Sequence, residues 1–71
     1  MEKEFINFVA TVLNVNSESL SLRSGYDGKV WDSLMHIRLA VAINDRYGNK
    51  IPFEEVGRIR CLGDFYNYIK D

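Results

Sequence analysis

The stretch Asp32-Ser33-Leu34-Met35-His36-Ile37-Arg38-Leu39-Ala40-Val41-Ala42-Ile43-Asn44-Asp45-Arg46-Tyr47-Gly48 decides the architecture of this chain. It opens on an aspartate, whose short carboxylate can accept a backbone N–H at a helix start. It closes on a glycine, the residue that most easily takes the left-handed conformation ending a helix. Between them Leu34, Ile37, Leu39, Ala40, Val41 and Ile43 recur at helical spacing. The pattern predicts a helix from Ser33 to Tyr47, with Asp32 as N-cap and Ser33 as the first helical residue.

Upstream, Val15 to Asp32 holds Ser17, Ser19, Ser21, Ser24, Gly25 and Gly28 with only Leu20 and Leu22 scattered among them, which is loop chemistry. A connection this long in so short a chain means either a functional loop or a misassigned element, and it needs an explanation. Before it, Phe5, Ile6, Val9, Val12 and Leu13 line one face of a helix over Glu2 to Asn14. Downstream, Ile51-Pro52 restarts the chain, and Pro52, Glu54 and Glu55 suit the first turn of a short helix from Phe53 to Ile59. Leu62, Phe65, Tyr66 and Ile69 then give a last helix to Lys70. No segment reads as a strand. The expected fold is all-α, a four-helix bundle of three longer helices and one short one, with residues 1–71 as one domain.

With 71 residues and 46% hydrophobic composition the chain can close one core but not a deep active-site cleft. Its ten acids and nine bases are interspersed, leaving a net charge of −1 and no basic footprint for nucleic acid. No apolar run reaches membrane-spanning length, and Met1-Glu2-Lys3-Glu4 is unlike a secretory leader, so the expected location is the cytoplasm. One cysteine and one histidine supply neither a disulfide framework nor a structural zinc set, so no metal is expected.

The triplet Asp32-Ser33-Leu34 opening a helix, the long loop before it, Leu34, Ile37 and Val41 behind it, Tyr47 at its end, Ile51-Pro52 after it and the closing Phe65 to Ile69 segment resemble the acyl carrier protein family over essentially the whole chain. The resemblance implies a non-enzymatic carrier. A phosphopantetheinyl transferase would move 4'-phosphopantetheine from coenzyme A onto the Ser33 hydroxyl. An acyl-activating ligase or acyltransferase would load the arm's thiol, and downstream enzymes would receive the thioester. Asp32 would cap the helix and present Ser33, and Leu34 would face partner enzymes or anchor the helix start. Fatty, polyketide, aminoacyl and hydroxyacyl groups all travel on such an arm, so fatty acid, polyketide and nonribosomal peptide biosynthesis all fit. The carrier is expected to be a monomer. The local chemistry agrees: a phosphodiester at the first helical residue meets free N–H groups and the positive end of the helix dipole, with Asp32 partly opposing it.

Trp31 and His36 occupy the two positions of a hydrophobic staple around the Asp32 cap, where a ring contact fixes the angle at which the chain enters the helix. The rival reading places Trp31 and His36, with Met35 and Arg38, on a docking surface for the arm's phosphate or a partner. A hydrolytic Ser33, His36, Asp32 triad is disfavoured because Asp32 is committed to capping and nothing supplies an oxyanion hole. Cys61 lacks an evident base and reads as a packed or capping-position residue. A helical interaction module without a prosthetic group is the alternative function, with Tyr26, Trp31, Met35 and Arg38 as its contacts. Membrane binding by the first helix is poorly served by Glu2 and Glu4.

The helix carrying Ser33 departs from the fatty acid carriers, whose corresponding helix is acidic. Here Met35, Arg38, Asn44, Asp45 and Arg46 stand there, two arginines against one aspartate. Partners evolved for an acidic helix should therefore bind poorly, which points to a dedicated carrier of a specialised pathway.

Overall fold

A computed structural model describes residues 1–70. Three α-helices, α1 (Glu2–Leu13), α2 (Ser33–Tyr47) and α3 (Leu62–Ile69), are joined by connections that contain two 3-10 helices, Ser17–Ser19 and Phe53–Arg58. The all-α expectation holds among the described residues, with α2 where the sequence places it.

Each boundary has a local cause. Asn14 takes the left-handed conformation at φ 60°, and the N–H of Val15 folds back onto the Ala10 carbonyl, so α1 ends one residue before its expected limit. Gly48, at φ 91°, ends α2 in the same way. Asn44 then holds the next connection, its side-chain amide donating to the Ile51 carbonyl at 3.0 Å while its Oδ1 accepts from the Ile51 N–H at 2.9 Å.

The short helix is 3-10 rather than α. Glu55 N–H bonds Pro52 O, and Ile59 N–H bonds Val56 O, both three residues back. An α-turn would bring the Arg60 N–H onto Val56 O, but Asp64 Oδ2 takes that N–H at 2.9 Å.

The long loop is tied to the start of α3 by backbone bonds. Tyr26 N–H donates to Arg60 O, Leu62 N–H to Ser24 O and Gly63 N–H to Leu22 O, around an isolated Gly25–Cys61 bridge. A β-carbon on Gly25 would sit 2.4 Å from the Arg60 carbonyl oxygen, so this position has no room for a side chain. Gly25→Ala is expected to cost about 1–3 kcal/mol through forced backbone movement. Thermal unfolding checks it, and an unchanged midpoint would contradict this account of the tie.

The core is built from Phe5, Val9 and Leu13 of α1, Leu39 and Ile43 of α2, and Leu62, Phe65 and Ile69 of α3, closed by Trp31, Ile51, Val56 and Ile59. The apolar residues of α2 divide into two stripes. His36, Leu39, Ala40 and Ile43 point inward, whereas Leu34, Ile37 and Val41 lie on the opposite and flanking surface, 65%, 43% and 58% exposed. Relative to His36, Leu34 and Val41 fall well over a quarter-turn around the axis, so both stripes obey helical periodicity while facing different ways.

Candidate functional site: the start of the second helix

The approach to Ser33 is built by a turn from Asp27 to Trp31. The Asp27 carboxylate accepts the Lys29 N–H at 2.8 Å and the Trp31 N–H at 3.1 Å. The N–H groups of Asp27 and Gly28 both donate back to the Trp31 carbonyl at 3.1 Å, with Gly28 at φ 76° where a side chain would be strained. These bonds, the Lys29 N–H first and the Trp31 N–H second, hold the Asp27 carboxyl below the ordinary aspartate range.

Because the folded value is the lower one, the turn's contribution is complete above about pH 4, where the unfolded carboxylate is ionised. It is lost as pH falls through the folded value. Acid titration followed at the Lys29 and Trp31 amides should stay flat from neutrality to about pH 4 and move only below it. A midpoint above the ordinary aspartate value would reverse the assignment.

Trp31 and His36 follow as a locked pair. The indole N–H donates to His36 Nδ1 at 2.9 Å. Since an indole can only donate, the imidazole proton rests on Nε2, which donates to the Val56 carbonyl at 2.8 Å. The two rings stack with centroids 5.7 Å apart, and Trp31 stacks in turn on Phe65 at 6.0 Å. This is the staple read from the sequence. The docking role considered for the same two residues does not fit their placement: Trp31 is 2% exposed and His36 9%, both in the core. Flat aromatic surface and paired nitrogens make them interior parts.

Asp32 caps α2, its Oδ1 accepting the Met35 N–H at 2.9 Å. Asp32→Ala should cost about 1 kcal/mol, read in denaturant titration. A stability loss below a few tenths would deny the cap its role.

Ser33 then stands exposed as the first helical residue, and its hydroxyl has no hydrogen-bond partner among the described residues. The N–H groups of Ser33 and Leu34 also find no acceptor there, so the helix start offers unfilled donors beside the hydroxyl. The triad is ruled out by the same geometry. Both His36 nitrogens are engaged elsewhere and Asp32 is occupied by Met35, so no base reaches the Ser33 oxygen.

Around the serine, Leu34 projects outward, Met35 is half-buried against the core, and Arg38 is exposed. Arg46 turns away to lie 5.1 Å over the Phe8 ring of α1, which leaves Arg38 as the cation on the outer surface of α2 nearest Ser33. A groove of about 250 Å³ runs beside Ser33, lined by Tyr26, His36, Ile37, Gly57, Ile59 and Arg60. Sequence reasoning passed over Asp27, although Asp27-Gly28 is itself a turn signal. It had no signal for Gly57, Ile59 or Arg60, which reach the groove only through the fold. Cys61 is the N-cap residue of α3 and makes no side-chain cap bond. Among the described residues no group of histidine, cysteine and carboxylate side chains could hold a metal ion, and no helix is long and apolar enough to cross a membrane.

Residues 3–69 match the family described as the phosphopantetheine attachment site. Over 54 residues, 76% of this chain, the sequence is 39% identical to the meromycolate extension acyl carrier protein of Mycobacterium leprae, of which the match covers 47%. The same identity and span hold for the protein of that name from Mycolicibacterium smegmatis, of which 54% is covered. An acyl carrier protein of Rhodococcus erythropolis is 41% identical over 39 residues, 55% of this chain and 43% of that protein. The matches thus span about half the length of these relatives. Proteins of this family carry phosphopantetheine covalently on a serine and leave the chemistry to other enzymes. An exposed, unpartnered serine opening α2 is what such a carrier requires, and the chain belongs to the acyl carrier protein family.

Proposed function

We propose that residues 1–71 act as one carrier domain whose phosphopantetheine arm is attached to Ser33 and bears acyl groups as thioesters. The observation that carries the assignment is the Ser33 hydroxyl, exposed at the first position of α2 and without a hydrogen-bond partner among the described residues. The unfilled N–H groups of Ser33 and Leu34 favour a phosphodiester there. The arm supplies the thiol on which cargo is held; the chain supplies position. The half of α2 that faces solvent, with Leu34, Met35 and Arg38, is the surface that a transferase, a loading enzyme and later enzymes would meet. Its lack of the acidic character of fatty acid carriers suits a dedicated set of partners working in the cytoplasm. Names of relatives include meromycolate extension, which makes lipid chain building one fitting pathway. Incubation with coenzyme A and a broad-specificity phosphopantetheinyl transferase tests the reading. Intact mass spectrometry should show one added phosphopantetheine, and a chain that stays unmodified would overturn it.

A further inference from the structure

Asp27-Gly28 is the one step in the chain where a glycine follows an aspartate or an asparagine. Such a step carries its own chemistry. The Gly28 backbone nitrogen can attack the carboxyl carbon of Asp27, forming an N–C bond and expelling one carboxyl oxygen as water, and glycine has no β-carbon to hinder the approach. Water then opens the succinimide ring at either carbonyl. Opening at the side-chain carbonyl restores aspartate, whereas opening at the backbone carbonyl leaves the chain joined through the β-carboxyl, one atom longer, as isoaspartate. In the closed turn both reactants are held. Asp27 Oδ1 accepts the N–H of Lys29 at 2.8 Å and that of Trp31 at 3.1 Å, and these bonds keep the carboxyl ionised, with its carbon a poor target for a nucleophile. The Gly28 N–H donates to the Trp31 carbonyl at 3.1 Å, so the attacking nitrogen keeps its proton. Residues 27–30 are all exposed, and opening the turn means breaking these bonds rather than unpacking a core.

We propose that Asp27–Gly28 is the modification site at which this carrier ages, isomerising to isoaspartate when the turn opens and protected while the turn is closed. The product cannot rebuild the turn. The added backbone atom displaces the carboxylate that held the Lys29 and Trp31 N–H groups, and Trp31 directly precedes the Asp32 cap. The approach to Ser33 loosens, and the isomerised chain is retired as a carrier. That consequence rests on the reading of Ser33 as the tether; the isomerisation does not.

The experiment holds the wild-type chain at physiological temperature in neutral buffer and, in parallel, in concentrated guanidinium chloride. Digests are followed by electron-transfer dissociation, which distinguishes isoaspartate from aspartate of equal mass. In denaturant Asp27 should isomerise first, ahead of Asp32, Asp45 and Asp64, which precede serine, arginine and phenylalanine. In native buffer its rate should be lower by about tenfold or more, the factor set by releasing the bonds that hold the two reactants. Gly28→Ala should suppress the reaction even in denaturant, which places it at this step. Trp31→Ala, whose packing loss leaves it largely unfolded, should isomerise in plain buffer near the denatured rate. The isoaspartate form, separated by chromatography, should melt about 5 °C below the aspartate form and take up phosphopantetheine more slowly. Equal rates in native buffer and denaturant would overturn the protection, and earlier isomerisation at another aspartate in denaturant would overturn the site. An unchanged melting point would overturn the loss of the turn. Failure of both forms to gain phosphopantetheine would remove the tether alone, since isomerisation is read without it.

Discussion

Ser33→Ala should leave a reaction with coenzyme A and a broad-specificity transferase at its original mass, while wild type gains one phosphopantetheine. The expected effect is complete loss, because the bond in question is made to the deleted oxygen. The control is built into the position. Ser33 makes no side-chain bond among the described residues, and alanine is a better helix former than serine, so stability should stay within about 0.5 kcal/mol of wild type. Loss of modification in a variant with an unchanged melting curve assigns the role to the hydroxyl and not to the fold. Other loop serines have structural duties: Ser19 Oγ donates to the Asn16 carbonyl, and Ser21 and Ser24 accept backbone N–H groups. A modified Ser33→Ala would show that one of the remaining serines is the tether.

Trp31→Ala should destabilise the protein by about 3–5 kcal/mol, the range for removing a large aromatic side chain from a core. A chain of this size has roughly 4–10 kcal/mol in total, so the variant is expected to be largely unfolded well below the wild-type melting temperature. Two losses combine here: the stack on Phe65 disappears, and His36 Nδ1 is left inside the core without its donor. Trp31→Phe separates them, since it keeps a ring but deletes the N–H, and should cost about 1–3 kcal/mol. Chemical denaturation followed by circular dichroism reads both. Equal losses in the two variants would mean that the hydrogen bond, rather than the packing, dominates. Because Trp31 directly precedes the Asp32 cap, Trp31→Ala should also lower modification of an intact Ser33.

How much of this was legible in the sequence follows from which forces acted locally. α2 was readable from end to end because cap, periodicity and terminal glycine all lie within one helix. The Trp31–His36 contact was readable for the same reason: a staple is a rule about neighbours. What could not be read was direction. Leu34, Ile37 and Val41 share helical spacing with Leu39 and Ile43, and only the positions of α1 and α3 decide which stripe is covered. The burial of Trp31 and His36, which removes them from any docking surface, depends on Phe65 and Val56, some twenty residues or more away in sequence. The groove is likewise assembled across the chain, so Gly57, Ile59 and Arg60 carry no local mark of it. Beyond the 3-10 helix Phe53–Arg58, Asp64 captures the Arg60 N–H, a contact no propensity scale contains.

The three backbone bonds that join residues 22–26 to residues 60–63 make the loop tolerant of rewriting. No side chain takes part in them, and Gly25 alone is fixed by contact with the opposite strand of chain. Exchanging Arg23 or Tyr26 for other residues leaves every one of these bonds available. A designer seeking to retarget such a carrier could therefore vary Arg23 and Tyr26 while keeping Gly25, the bonded loop serines and the turn from Asp27 to Trp31.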